Sequence, residues 1–146
     1  MIRHTMRALC AATLVIAPVA LTATPAHAVA SCRVNGIAVN SSNVVGTAGA
    51  DYITCGPLAP GDVVDGLGGA DYIRIGGNIG GGAVVRGGTG RDYLRVDGSV
   101  GPMAQVLGGD DSDYILVGPN AGAVNGGLGV DYCRVSSGNP PVNCEV

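Results

Sequence analysis

Gly87-Gly88-Thr89-Gly90-Arg91-Asp92-Tyr93-Leu94-Arg95 decides how the whole chain is read, because variants of it return along the sequence. Its Asp-Tyr step occurs at Asp51-Tyr52, Asp71-Tyr72, Asp92-Tyr93, Asp113-Tyr114 and Asp131-Tyr132, and these are all 5 tyrosines of the protein. The aspartates lie 20, 21, 21 and 18 residues apart. A period near 20 residues predicts a repeat architecture in which each repeat is one coil stacked on the next.

Other positions keep step with the aspartate. Five residues before it stands Gly46, Gly66, Gly87, Gly108 or Gly126. Two before it stands Gly49, Gly69, Gly90 or Gly129, with Asp111 in the fourth copy. Glycine suits a tight turn with positive φ, so the Gly-x-x-Gly-x-Asp block reads as a corner and not a strand. Seven before the aspartate is always valine: Val44, Val64, Val85, Val106 and Val124. Two after it come Ile53, Ile73, Leu94, Ile115 and Cys133; four after it come Cys55, Ile75, Val96, Val117 and Val135. Between them lie Thr54, Arg74, Arg95, Leu116 and Arg134. This alternation marks half-buried strands, with the aliphatic columns inward and Tyr and Arg outward. The expected fold is all-β, a right-handed parallel β-solenoid (β-roll or β-helix) of about five coils, each with two strands. With 26 glycines and 8 prolines, stable helix is not expected after the leader.

The ends read differently. Residues 1–28 resemble a signal peptide, with Arg3 and Arg7, an apolar stretch from Ala8 to Ala23, and cleavage after Ala28 or Ala30. That stretch is short and holds Pro18, so a membrane span is not expected. The remaining organisation is an N-terminal cap over 29–42, a solenoid over 43–135 and a C-terminal cap over 136–146. From Val29 onward there are 6 Arg, no Lys, 10 Asp and 1 Glu, so the net charge is 6 − 11 = −5. No basic cluster points to nucleic acid. Four cysteines remain in that segment. Cys32 and Cys55 fall at one end of the array, Cys133 and Cys144 at the other, which predicts the pairs Cys32–Cys55 and Cys133–Cys144 in a secreted, extracellular protein.

The nonapeptide at Gly87–Arg95, and Gly126-Gly127-Leu128-Gly129-Val130-Asp131-Tyr132-Cys133-Arg134, resemble the G-G-x-G-x-D-x-U-x repeat of the RTX, or hemolysin-type, calcium-binding proteins. The copies beginning at Gly46 and Gly66 replace the second glycine by Thr47 and Leu67, and the copy at Gly108 replaces the fourth by Asp111. The resemblance spans residues 43–135. It implies Ca2+ between neighbouring coils, held by Asp51, Asp71, Asp92, Asp113 and Asp131 with main-chain oxygens of Gly49, Gly69, Gly90 and Gly129. Asp110 and Asp111 are candidate extra ligands. Family repeats recur every nine residues; here every second motif is replaced by a neutral glycine-rich connection, so ions are expected on a single edge.

Electrostatics points the same way. Coils stack ~4.8 Å apart, and carboxylates at that spacing repel by about 1 kcal/mol in water and several times more near a protein surface. The alternative is a metal-free structural or adhesive solenoid, its aspartates accepting turn N–H bonds and Arg74, Arg91, Arg95 and Arg134 neutralising them. The tyrosine column suggests carbohydrate contact or, as the simpler reading, a ladder of like side chains covering the sheet. Asp62, Asp65 and Asp97 fall outside the repeated corner and read as surface charges. Beyond the leader there is no His or Lys and a lone Glu145, so no enzyme is expected. The sequence identifies no macromolecular partner.

Overall fold

The computed structural model describes residues 30–145; the signal-peptide expectation lies outside them. Twelve strands and no helix occur among these residues. They are β1 (Ser31–Val34), β2 (Ile37–Asn40), β3 (Asn43–Val45), β4 (Tyr52–Cys55), β5 (Val63–Asp65) and β6 (Tyr72–Ile75), then β7 (Val84–Thr89), β8 (Tyr93–Val96), β9 (Gln105–Asp110), β10 (Tyr114–Asn120), β11 (Ala123–Leu128) and β12 (Tyr132–Gly138). The even-numbered strands from β4 on and the odd-numbered strands from β3 on form two separate parallel stacks, ordered β12-β10-β8-β6-β4 and β11-β9-β7-β5-β3. Successive coils therefore lie in register, and the fold is a β-solenoid of about five turns.

Register follows from side-chain alternation, because a slip of one residue would turn every inward column outward. Val64 pairs with Val85 and Val85 with Val106. Ile73 pairs with Leu94, and Ile115 with both Leu94 and Cys133. These columns are fully or nearly fully buried and form one continuous core. Each coil in the middle of the array also has a third, minimal ladder, which the two-strand reading lacks: Leu58, Ile79, Val100 and Asn120 pair one above another through single bridges. All four are buried.

Two further departures concern the turns. Strands β7, β9 and β11 run through the first glycines of the corner, which was expected to be free of strand. Gly88 pairs with Gly109 and Gly109 with Gly127, at φ of 117°, 132° and 117°. A Cβ on any of them would run into the main chain of the preceding coil. Glycine thus permits the approach that lets the ladder continue; where Thr47 and Leu67 stand instead, β3 and β5 stop short. Asp62 is no surface charge. It is 2% exposed, and its carboxylate accepts the Ala59 N–H at 2.8 Å, fastening the first coil's turn. In the next two coils Ala83 and Ala104 fill buried turn positions with the same backbone closure, to Gly80 and Gly101.

Both predicted disulfides are present, Cys32–Cys55 and Cys133–Cys144. At the N-terminal end, β1 lies antiparallel between β2 and β4. At the C-terminal end, the segment around Val142 pairs with the open edge of β11, with Gly126 N–H on the Val142 carbonyl and Val142 N–H on the Val124 carbonyl, both 3.0 Å. Open strand edges invite pairing with other chains, and the Val142 segment covers that of β11, while β2, β3 and β12 remain edge strands. Two disulfides are consistent with an oxidising, extracellular setting. Among the described residues no helix is long and apolar enough to cross a membrane.

Candidate functional site

The repeated aspartates line the interior. Asp51, Asp71, Asp92, Asp113 and Asp131 are only 1–4% exposed. Each immediately precedes its tyrosine at the mouth of an even-numbered strand. Extending the strand's alternation back by one residue, from inward Ile53 past outward Tyr52, would have placed Asp51 inside; reading the block as a corner hid this. One carboxylate oxygen in each coil has a fixed task. Oδ1 of Asp71, Asp92, Asp113 and Asp131 accepts the backbone N–H of the aspartate one coil earlier, 2.8 Å in all four cases. The result is a column of charge-assisted hydrogen bonds threading the solenoid.

Residues that sequence reasoning missed close this column. Glu145 Oε2 accepts the Asp131 N–H at 2.6 Å, as a further rung would. At the other end Asn35 Nδ2 donates to Asp51 Oδ1 at 2.6 Å, while Asn35 Oδ1 accepts the Tyr52 N–H at 2.8 Å. Thr47 donates its hydroxyl and its N–H to Asp51 Oδ2, at 3.0 and 2.5 Å. Asn35 and Glu145 lie outside the repeat's spacing, with only their position beside its ends to hint at a role; Thr47 stands within it, at the second-glycine position, where it read only as a departure from the motif.

The second oxygen is different. Oδ2 of Asp71, Asp92, Asp113 and Asp131 is buried without a hydrogen-bond partner. An unpaired buried carboxylate oxygen is among the costliest features an interior can hold. The glycine five residues earlier shows what surrounds it. A Cβ on Gly66, Gly87 or Gly108 would collide with Oδ2 of its own coil and with the carbonyl oxygen of the equivalent glycine one coil further on. Two oxygens, one carboxylate and one main-chain, thus flank the same point in coil after coil.

Proton affinities reflect these surroundings. Burial raises Asp92 to about 6; the Asp71 N–H opposes the rise, and repulsion from Asp71 and Asp111 adds to it. Asp113 reaches about 7, through burial against the Asp92 N–H, with repulsion from Asp92, Asp131 and Asp111. Asp71 is raised too, by burial and by the charge of Asp51, against the Asp51 N–H. In Asp51 burial acts upward, but the Thr47 N–H, the Asn35 amide and the Thr47 hydroxyl outweigh it, and the net shift is downward. The column is therefore saturated with hydrogen bonds at its N-terminal end and hungry for positive charge in its middle.

Asp110 and Asp111 are exposed and stand apart from the column. Asp111 takes the position of a left-handed glycine, at φ 74°, and lies near enough to the Asp92–Asp113 step to repel both. Among the described residues, no three Asp, Glu, His or Cys side chains converge on one point. Gly69, Gly90 and Gly129 occupy left-handed turns, at φ 110°, 111° and 126°, whereas Gly49 and the first glycine of each corner (Gly46, Gly66, Gly87, Gly108, Gly126) do not, contrary to the expectation of positive φ there. Among the described residues no arginine pairs with the column. Arg74 and Arg95 both bind Asp97, each at 2.6 Å, and these contacts, Arg95 first, hold the Asp97 carboxyl below its ordinary value. Arg86 faces Asp65 at 3.8 Å.

No protein-family model matches this sequence, and no curated protein or solved structure is detectably similar to it.

Proposed function

We propose that this chain is an exported calcium-binding β-solenoid of the RTX, hemolysin-like kind, in which cations neutralise the interior aspartate column and tie its stability to calcium outside the cell. The observation that carries this reading is the run of four buried, unpartnered Oδ2 atoms. Asp71, Asp92, Asp113 and Asp131 would hold the ions through Oδ2, together with glycine carbonyls of the adjoining coil. Calcium accepts six to eight oxygens in flexible geometry, so main-chain oxygens and water complete what one carboxylate per coil begins. The step between Asp92 and Asp113, overlooked by Asp111, gathers the most negative charge and is the preferred site. The ion supplies fixed positive charge in place of protons. Extracellular calcium modules bind at ~10⁻⁴–10⁻³ M, so such sites fill on export.

A second reading rests on the one-to-one N–H to Oδ1 ladder and the lack of any converging acid cluster among the described residues: a metal-free structural or adhesive solenoid whose middle carboxyls stay protonated. Calorimetric titration of the chelator-treated protein with calcium near pH 8 separates the two. Heat of binding with a rise in melting temperature, both lost in Asp92→Asn/Asp113→Asn, is the outcome expected of a calcium protein. Silence in calorimetry with identical melting in calcium and chelator leaves the metal-free solenoid.

A further inference from the structure

The outer face of the β1–β12 sheet has a composition of its own. Strand register brings Arg33, Thr54, Arg74, Arg95, Leu116 and Arg134 into one column. Alongside it runs the tyrosine column. Asp97 is the acid on this face, shared by Arg74 and Arg95. The face thus carries four arginines against one aspartate, 4 − 1 = +3, while the remaining charged residues from Val29 onward sum to 2 − 10 = −8. A positive stripe on an acidic chain favours one class of partner by charge complementarity. Leu116 replaces arginine between Arg95 and Arg134, and there the surface sinks into an open hollow of ≈ 330 Å³, with Asp97, Gly118 and Ser136 around it.

The tyrosines narrow the choice. Their rings stack on one another with centroids 4.7–5.3 Å apart and planes within 3–12°. Inner rings therefore have both faces covered by neighbours. Neither a sugar ring nor a nucleobase finds an aromatic platform there, which removes the main attraction of single-stranded nucleic acid for such surfaces. What the column offers outward is ring edge and hydroxyl. Asp97 beside the hollow also selects, since it repels a ligand carrying only anionic groups and accepts hydrogen bonds from one that also has hydroxyls.

We propose that this arginine–tyrosine face binds a linear carboxylated polysaccharide laid along the solenoid axis. Arg134 takes a carboxylate through paired N–H donors, and Arg74 and Arg95 offer the N–H donors that Asp97 leaves free. Tyr93, Tyr114 and Tyr132 meet sugar hydroxyls through their own, and Asp97 and Ser136 receive hydroxyl donors in the hollow. The periodic face matches a periodic polymer, and affinity grows with the number of rungs engaged at once. This site is separate from the interior aspartate column and needs no calcium.

The test is calorimetry on the disulfide-bonded protein with oligogalacturonate as the probe, at low salt and with chelator present so that calcium cannot bridge carboxylates. Expected are saturable binding of the uronate oligomer and weaker or no binding of a neutral cello-oligosaccharide and of single-stranded DNA of equal charge. Loss of two charge-assisted contacts in Arg95→Gln/Arg134→Gln should weaken binding by at least about tenfold. Both side chains are exposed, so loss of the surface Arg95–Asp97 pair should lower the melting temperature only slightly. Arg86→Gln/Arg91→Gln, away from this face, should bind as the parent does. Failure of the uronate oligomer to bind, DNA bound as tightly, or equal losses in the two double variants would each overturn the proposal.

Discussion

At the scale of single residues, Asp92 and Asp113 set a pH dependence whose sign is fixed. Their folded-state values, about 6 and about 7, lie above the ordinary 3.8. Between about pH 4 and pH 7 the native protein holds protons that the unfolded chain has released, so stability falls as pH rises through this window and levels off above it. Asp51 acts oppositely: its lowered value contributes stability above 3.8 that is lost as pH falls through the folded value. The metal-free protein should melt highest near pH 4–5 and lower at pH 8, and calcium, competing with protons, should help most at pH 8. Asp92→Asn sharpens this. Asparagine keeps the oxygen that accepts the Asp71 N–H and puts an amide N–H beside the Gly108 carbonyl. In chelator at pH 8 the variant should be more stable than the parent by about 1–3 kcal/mol. Thermal melts across pH, with and without chelator, check both; parental stability that climbs from pH 5 to pH 8 in chelator would contradict the assignment.

At the scale of elements, the two ends do different work from the coils. The last coil is held by Cys133–Cys144, by Val142 on the edge of β11 and by Glu145 under Asp131. Closing so short a loop stabilises by roughly 3 kcal/mol on the chain-entropy account. Cys133→Ser/Cys144→Ser should therefore speed amide exchange in β12 and β11 well before it touches β6 or β8, because each coil contacts only its neighbours. Uniform loss of protection along the array would show that the solenoid opens as one unit. Both disulfides were legible from cysteine position, since the pairs bracket the array. The valine and aliphatic columns were legible because their offset from the aspartate never varies. The third ladder was not: Leu58, Ile79, Val100 and Asn120 follow their aspartates by 7, 8, 8 and 7 residues, and a drifting offset in a glycine-rich connection leaves no column to see. Asp62 reads as a surface charge for a related reason, because its buried role belongs to one coil and no repeat announces it.

For the whole molecule, the interior column has a direction. Every aspartate N–H points to the carboxylate of the coil that follows, never of the one before. Each coil therefore depends on the next for its acceptor, and the last depends on Glu145. It follows that length is a free variable while the terminator is not. A chain with residues 87–107 duplicated in tandem should fold as a six-coil solenoid of undiminished melting temperature, because the added coil both offers and receives one bond. A chain ending at 138 should leave the Asp131 N–H and the β11 edge unmet, lose the Cys133–Cys144 disulfide and melt lower than the parent. Circular dichroism melts of the two would decide it, and a truncated chain as stable as the lengthened one would show that the closing residues are dispensable.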